Sequence, residues 1–267
     1  MKLHARRVAA SDNSEHTAVI THGIMGSHRN WVGFTRLLSR QNPNWAFLLV
    51  DIRGHGQSHP AKPPNTIQAC ADDLNQFIRA QSPMPKVAIG HSFGGKVVVA
   101  AADLSNSPLE QVFVLDTPPS TGNLNTTNDV VHVVQAIREM PTPIASRQSV
   151  SGYFLKRGFP IEIAAWMTTN LRSTPDGLDW HFDLEAVDAL MTSYFQTDQW
   201  DHYESNRPYR LRLVRGDRST RWTTQDQTRL AQVGPHAHIT VLPDAGHWVH
   251  TDNPVELAAI ISKSLVQ

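Results

Sequence analysis

Cysteine is almost missing from this chain: in 267 residues there is one, Cys70. No internal disulfide can form, which fits a reducing compartment or indifference to redox state. Cys70 stands at helical spacing from Ile67, Ala71 and Leu74, so it is expected as a buried apolar residue and not as a nucleophile. A surplus of either charge is missing too, with 24 Lys and Arg against 24 Asp and Glu. Without a basic excess or stripe there is no electrostatic reason to expect nucleic acid or an anionic membrane as partner. Long apolar runs are lacking. The longest, near residues 97–102, falls far short of the roughly 20 residues of a membrane span. Residues 1–7 are basic, yet no apolar stretch of a secretory signal accompanies them. The expectation is a soluble protein, cytoplasmic or organellar and not secreted, with no stable membrane insertion. In that setting the sequon Asn125-Thr126-Thr127 carries no meaning. There are no repeats or low-complexity tracts, and nothing sets an oligomeric state.

What is present is an ordinary globular mixture, 40% apolar and 18% charged. Short apolar runs alternate with helical patterns. Strands are predicted at 17–21, 45–50, 86–90, 111–115, 211–215 and 238–242. Helices are predicted at 30–39, 66–80, 93–104, 224–231 and 254–265. Near-continuous apolar strands separated by helices mean a mostly parallel sheet covered on both faces, an α/β architecture. From Pro118 to about Pro208 the alternation stops and helices dominate, at 128–140, 146–156, 160–170 and 183–197. Pro141, Pro143, Gly158, Pro160, Pro175 and Gly177 punctuate them. The expected organisation is a core domain of residues 1–117 and 209–267, with residues 118–208 inserted as a helical cap. The insertion leaves a strand at its carboxyl end, where α/β sheets bind ligands.

The chemistry concentrates at Gly90-His91-Ser92-Phe93-Gly94. A predicted strand precedes it and a predicted helix follows, the context of a nucleophile elbow. Ser92 is the candidate nucleophile. A serine hydroxyl needs a base, and in the chain order serine, acid, histidine the late His247 fits, in the loop after the last strand. His236, His238 and His250 fit less well. Two carboxylates obey the same order at strand ends, Asp116 and Asp217. An oxyanion hole would draw on the backbone N–H groups of Phe93 and, from the loop after the first strand, Ile24 with Met25 behind it. Met25, Trp166 and Trp248 are candidate substrate contacts. No carboxylate or cysteine completes a ligand set around His236 and His238 or His55 and His59, so no metal is expected. No cofactor is needed.

Four landmarks together resemble the α/β-hydrolase superfamily over nearly the whole chain. They are His22-Gly23-Ile24-Met25-Gly26-Ser27, Asp51-Ile52-Arg53-Gly54-His55-Gly56-Gln57-Ser58, Gly90-His91-Ser92-Phe93-Gly94-Gly95-Lys96 and Gly246-His247-Trp248-Val249-His250. In detail they look like the small-esterase branch that includes the α/β-hydrolase-domain-11-type proteins. The resemblance implies the α/β-hydrolase fold, a helical cap, and a serine esterase that cleaves short acyl esters through a catalytic triad. Its partner would be a small-molecule acyl ester. Other readings on the same fold are a thioesterase or acyltransferase, a carbon–carbon bond hydrolase, and a slow-turnover hydrolase serving as a ligand receptor. The usual place of the acid is held here by Ser219. Some members of the branch resemble this chain there and carry the acid after the strand equivalent to 111–115. That points to Asp116, with Ser219 as an added hydrogen-bonding member and Asp217 as the alternative. Glu185 is an outside candidate. The loop of residues 51–58 is expected to be structural.

Overall fold

The computed structural model describes residues 1–122 and 129–265. The sequon at 125–127, and Asn128 at the head of a predicted helix, lie outside them. Nine strands occur among the described residues: β1 (Ala5–Ala9), β2 (His16–Thr21), β3 (Trp45–Val50), β4 (Val87–His91), β5 (Gln111–Leu115), β6 (Leu171–Thr174), β7 (Gly177–Trp180), β8 (Arg210–Gly216) and β9 (Ala237–Leu242). Seven of them form one sheet in the order β1-β3-β2-β4-β5-β8-β9. All neighbours in it are parallel except β1, which runs antiparallel to β3.

The two faces of the sheet can be read from alternate residues. Val19, Leu48, Val50, Ala88, Val112, Val114, Leu211 and Leu213 face one apolar cluster. Helices α2 (Ile67–Arg79) and α3 (Phe93–Ala102) pack there. Ala18, Ile20, Phe47, Leu49, Val87, Ile89, Phe113, Leu115 and Val214 face the other, against α1 (Val32–Gln41) and α11 (Pro254–Ser262). In α2 the buried residues Ile67, Cys70, Ala71, Leu74 and Ile78 form one stripe, and Thr66 Oγ1 caps the helix by accepting from the Ala69 N–H. Burial pushes the Cys70 thiol pKa up, as suits a packing residue.

Between β5 and β8 run α4 (Asp129–Arg138), α5 (Arg147–Lys156), α6 (Ile161–Thr169), the hairpin β6–β7, α7 (Leu184–Gln196) and α8 (Trp200–Glu204). Val133, Ile137, Phe154, Met167, Leu171 and Val187 share a third apolar cluster there. The remaining helices are α9 (Thr224–Leu230) and α10 (Val249–Asp252). No helix among the described residues is long and apolar enough to cross a membrane.

β1, the hairpin, α8 and α10 were not expected from the pattern. The exposed edge strand β1 has little apolar alternation, and the hairpin pairs only four residues on each side, Leu171↔Trp180 to Thr174↔Gly177.

Strand order reverses where β2 and β4 lie side by side, the switch point at which such sheets open a crevice. The loop after β2, residues 22–27, is held there by buried imidazoles. His22 Nδ1–H donates to the Gly23 carbonyl (2.7 Å) while Nε2 accepts from the Ile52 N–H (3.1 Å). His55 Nδ1–H donates to the Arg53 carbonyl (3.0 Å) while Nε2 accepts from the Met25 N–H (2.9 Å). Asp51 takes the amides of His28 (2.6 Å) and Gln57 (2.9 Å). The loop of residues 51–58 is thus a brace for the loop of residues 22–27. Burial drives the His55 pKa down to about 3, and also lowers that of His22. His250, buried against Trp31 with ring centroids 4.0 Å apart, is likewise pushed to about 3 by burial.

These histidines set a pH dependence. In the unfolded chain each titrates near 6.5; folded, His55 and His250 stay neutral down to about pH 3. Their stabilising contribution is complete above pH 6.5 and is lost as pH falls from 6.5 toward 3, at about 1.4 kcal/mol per pH unit for each. Urea unfolding at pH 5.0 is expected to give a stability below that at pH 7.5, with about 4 kcal/mol of the difference coming from these two rings. Equal stabilities at the two pH values would contradict the neutral-imidazole brace.

Candidate active site

A single residue, Ser92, separates the end of β4 from the start of α3. Its backbone sits at φ 51° and ψ −120°, in a region that costs a non-glycine residue about 1–3 kcal/mol. The neighbours explain why the bend persists. Ser92 N–H donates to the Leu115 carbonyl (3.0 Å), and the Ser92 carbonyl accepts from Gly95 N–H (2.8 Å) and Thr117 Oγ1 (2.8 Å). A Cβ on Gly90 would collide with the Gly94 backbone, and one on Gly94 would lie 2.6 Å from the His22 carbonyl oxygen. The glycines of the motif are therefore spaces through which β2, β4 and α3 approach one another.

Asp116 follows β5 directly, at φ 50°, and is fully buried. Its carboxylate accepts four hydrogen bonds. Oδ2 takes His247 Nδ1–H (2.8 Å) and Ser219 Oγ–H (2.6 Å); Oδ1 takes Trp222 Nε1–H (3.0 Å) and Gly216 N–H (3.1 Å). With Nδ1 holding the proton, His247 Nε2 is left as the basic atom. Burial lowers the His247 pKa, the hydrogen bond it donates to Asp116 opposes this, and the charge of Arg221 adds to the lowering. The His247 carbonyl accepts from His91 Nε2–H (2.8 Å), and the two rings lie 4.7 Å apart.

Asp217 is exposed and points elsewhere. Its Oδ1 accepts the Ala245 N–H (3.0 Å), and that bond lowers its pKa. It braces the loop that carries His247, not the imidazole. Glu185 is exposed in the first turn of α7.

Two cavities meet at Ile24, Ser92, Val130, Arg221 and His247. The smaller, about 40 Å³, is walled by Trp31, Trp166, Trp248, Ile163 and Val133. The larger, about 460 Å³, extends past Phe93, Ser120, Thr121, Met191, Tyr194 and Phe195. Ile24, Trp166 and Trp248 are thus brought to the crevice. Met25 is placed differently: its side chain is buried in the third apolar cluster and lines neither cavity, and His55 takes its amide. Phe93 opens α3, where first-turn amides have no acceptor within the helix. Among the described residues no acceptor takes the Ile24 amide.

The Trp222 and Gly216 donors, the His91 clasp and the position of Arg221 had no signal in the sequence beyond nearness to Ser219 and Ser92. Among the described residues, ligand-type atoms of His4, His28 and Asp51 lie within 4.8 Å of one another. Asp51 there already accepts the His28 ring and two amides.

Residues 18–260 match the model of the alpha/beta hydrolase family. The chain is 27% identical to Escherichia coli (strain K12) "Esterase YbfF", over 99% of each chain. It is 26% identical to Danio rerio "sn-1-specific diacylglycerol lipase ABHD11", over 91% of this chain and 76% of that protein. Among solved structures, a marine microorganism esterase superposes with a TM-score of 0.83 at 21% identity, over 99% of each chain. With a family match spanning most of its length, a seven-stranded sheet of this order and a strained serine at its switch point, the chain belongs to the alpha/beta hydrolase family.

Proposed function

We propose that this protein is a carboxylic ester hydrolase in which Ser92, His247 and Asp116 form a catalytic triad supported by Ser219. The observation that carries the reading is the 2.8 Å bond from His247 Nδ1–H to Asp116, made by a histidine that lines both cavities together with Ser92. The names of the relatives, esterase and lipase, agree with it.

In the proposed reaction Ser92 Oγ attacks the ester carbonyl while His247 Nε2 takes its proton. Asp116 holds the imidazole in the required tautomer and stabilises the imidazolium. The amides of Ile24 and Phe93 receive the developing oxyanion, each worth about 3–4 kcal/mol in this role. The imidazolium then protonates the leaving alcohol, and a water activated by the same ring releases the acid from the acyl-enzyme. The smaller cavity, about 40 Å³ against about 460 Å³, is much the more confined of the two. Assigned to the acyl group, it favours short acyl chains, and the larger cavity then takes the alcohol. Residues 118–208 are proposed to act as a cap over this crevice, because Val130, Val133, Ile163, Trp166, Met191, Tyr194 and Phe195 on its walls come from that segment.

Ser92→Ala is expected to lower kcat for p-nitrophenyl acetate by a factor on the order of 10⁶. Ser92→Gly loses the same activity but relieves the bend, and is expected to raise unfolding stability by about 1 kcal/mol in denaturant titration.

Asp116→Asn is expected to cost about 10⁴-fold in kcat by presenting the wrong hydrogen-bond pattern to His247. Asp217→Asn should cost less than about tenfold. The reverse order in steady-state assays would move the acid to Asp217.

Because His247 acts as a base with a lowered pKa, kcat/KM should rise with pH and reach its plateau with a midpoint below 6.5. A midpoint above 7 in the pH–rate profile would contradict this.

A further inference from the structure

One charged group in the crevice has no part in the acyl-transfer steps. Arg221 lies in the turn after β8 and lines both cavities beside Ser92 and His247. Its backbone N–H donates to Ser219 Oγ (3.3 Å), yet among the described residues no hydrogen bond or ion pair engages its guanidinium. Two carboxylates are near, and both are already satisfied. Asp226, in the larger cavity, accepts from Ser120 Oγ and from Thr223 N–H (2.9 Å) and Oγ1 (2.6 Å). Asp116 is enclosed by its four donors.

A half-buried cation with no counterion among the described residues is costly to keep. This one also disfavours the imidazolium that the proposed reaction must form, since its charge lowers the His247 pKa. Both costs fall when a ligand brings a negative charge. A guanidinium presents a planar fork that matches a carboxylate through two parallel hydrogen bonds. With Asp226 already on the wall, the cavity suits one added negative charge better than two.

We propose that Arg221 is a specificity-determining residue that binds a carboxylate carried by the ester substrate, in the larger cavity beside Ser92. The proposal rests on the ester-hydrolase reading. It makes the substrates esters of hydroxy-acids, in which the alcohol portion carries the acid group.

The test compares 4-acetoxybenzoate with its uncharged amide, 4-acetoxybenzamide. The native protein is expected to show a kcat/KM about tenfold or more higher for the anion. Arg221→Gln should bring the ratio near one, and Arg221→Lys should restore part of it. Calorimetric titration of both compounds into the Ser92→Ala protein reads the same preference without turnover. Tighter binding of the anion, lost when Arg221→Gln is added, supports the proposal even if neither ester is cleaved by the native protein. That absence of cleavage would count against the hydrolase reading instead. Equal affinity for the two compounds, no measurable binding of the anion, or a preference that survives Arg221→Gln would overturn the proposal.

Discussion

The buried carboxylate of Asp116 is the interaction on which the crevice depends. Taking a carboxylate out of water costs several kcal/mol unless donors replace its hydration. Here four do, and they come from three separate pieces of chain: the end of β8, the turn holding Ser219 and Trp222, and the loop of His247. The charge that orients the imidazole therefore also fixes the path of the chain after β8. Neither role is separable from the other. A chain that failed to close the turn over Asp116 would strand a buried charge and release the histidine together.

A second constraint works in the opposite direction, by strain. Ser92 occupies a backbone conformation suited to glycine, and it is kept there by contacts to β5 and α3 that have no slack. The loop facing it, residues 22–27, is held by two imidazoles, each donating through Nδ1 and accepting through Nε2. Such an acceptor exists only while the ring is neutral. Burial ensures that it is, which ties the geometry of the proposed oxyanion site to the proton balance of the core.

Most of the sheet was legible because the period of its strands survives in the residues: β3 and β5 match their predicted bounds. The elbow was legible because only glycine fits on either side of Ser92. The choice between Asp116 and Asp217 was not legible from chain order. β5 and β8 are hydrogen-bonded neighbours, so both carboxylates emerge at the same edge of the sheet. What separates them is a positive φ at Asp116 and the hydrogen bond of Asp217 to Ala245, and neither leaves a periodic trace. The placement of Met25 escaped for a similar reason. It sits in the expected loop, but a φ of 56° and the His55 acceptor turn its amide and side chain away from the crevice. The hairpin at 171–180 and the strand β1 are held by pairing partners distant from any local signal.

The charges around Ser92 bear on how substrate choice and rate would be linked. As the proposed base takes up a proton, the imidazolium is hydrogen-bonded to Asp116 and opposed by the charge of Arg221. An uncharged ester leaves Arg221 opposing that proton throughout the barrier. An ester whose own carboxylate pairs with Arg221 removes the opposition where it matters, in the transition state. The binding contact would then express itself in kcat as well as in KM, because the interaction gains strength as positive charge builds on His247. Selectivity of this kind needs no moving part, only a cation placed where it hinders every substrate except those that neutralise it.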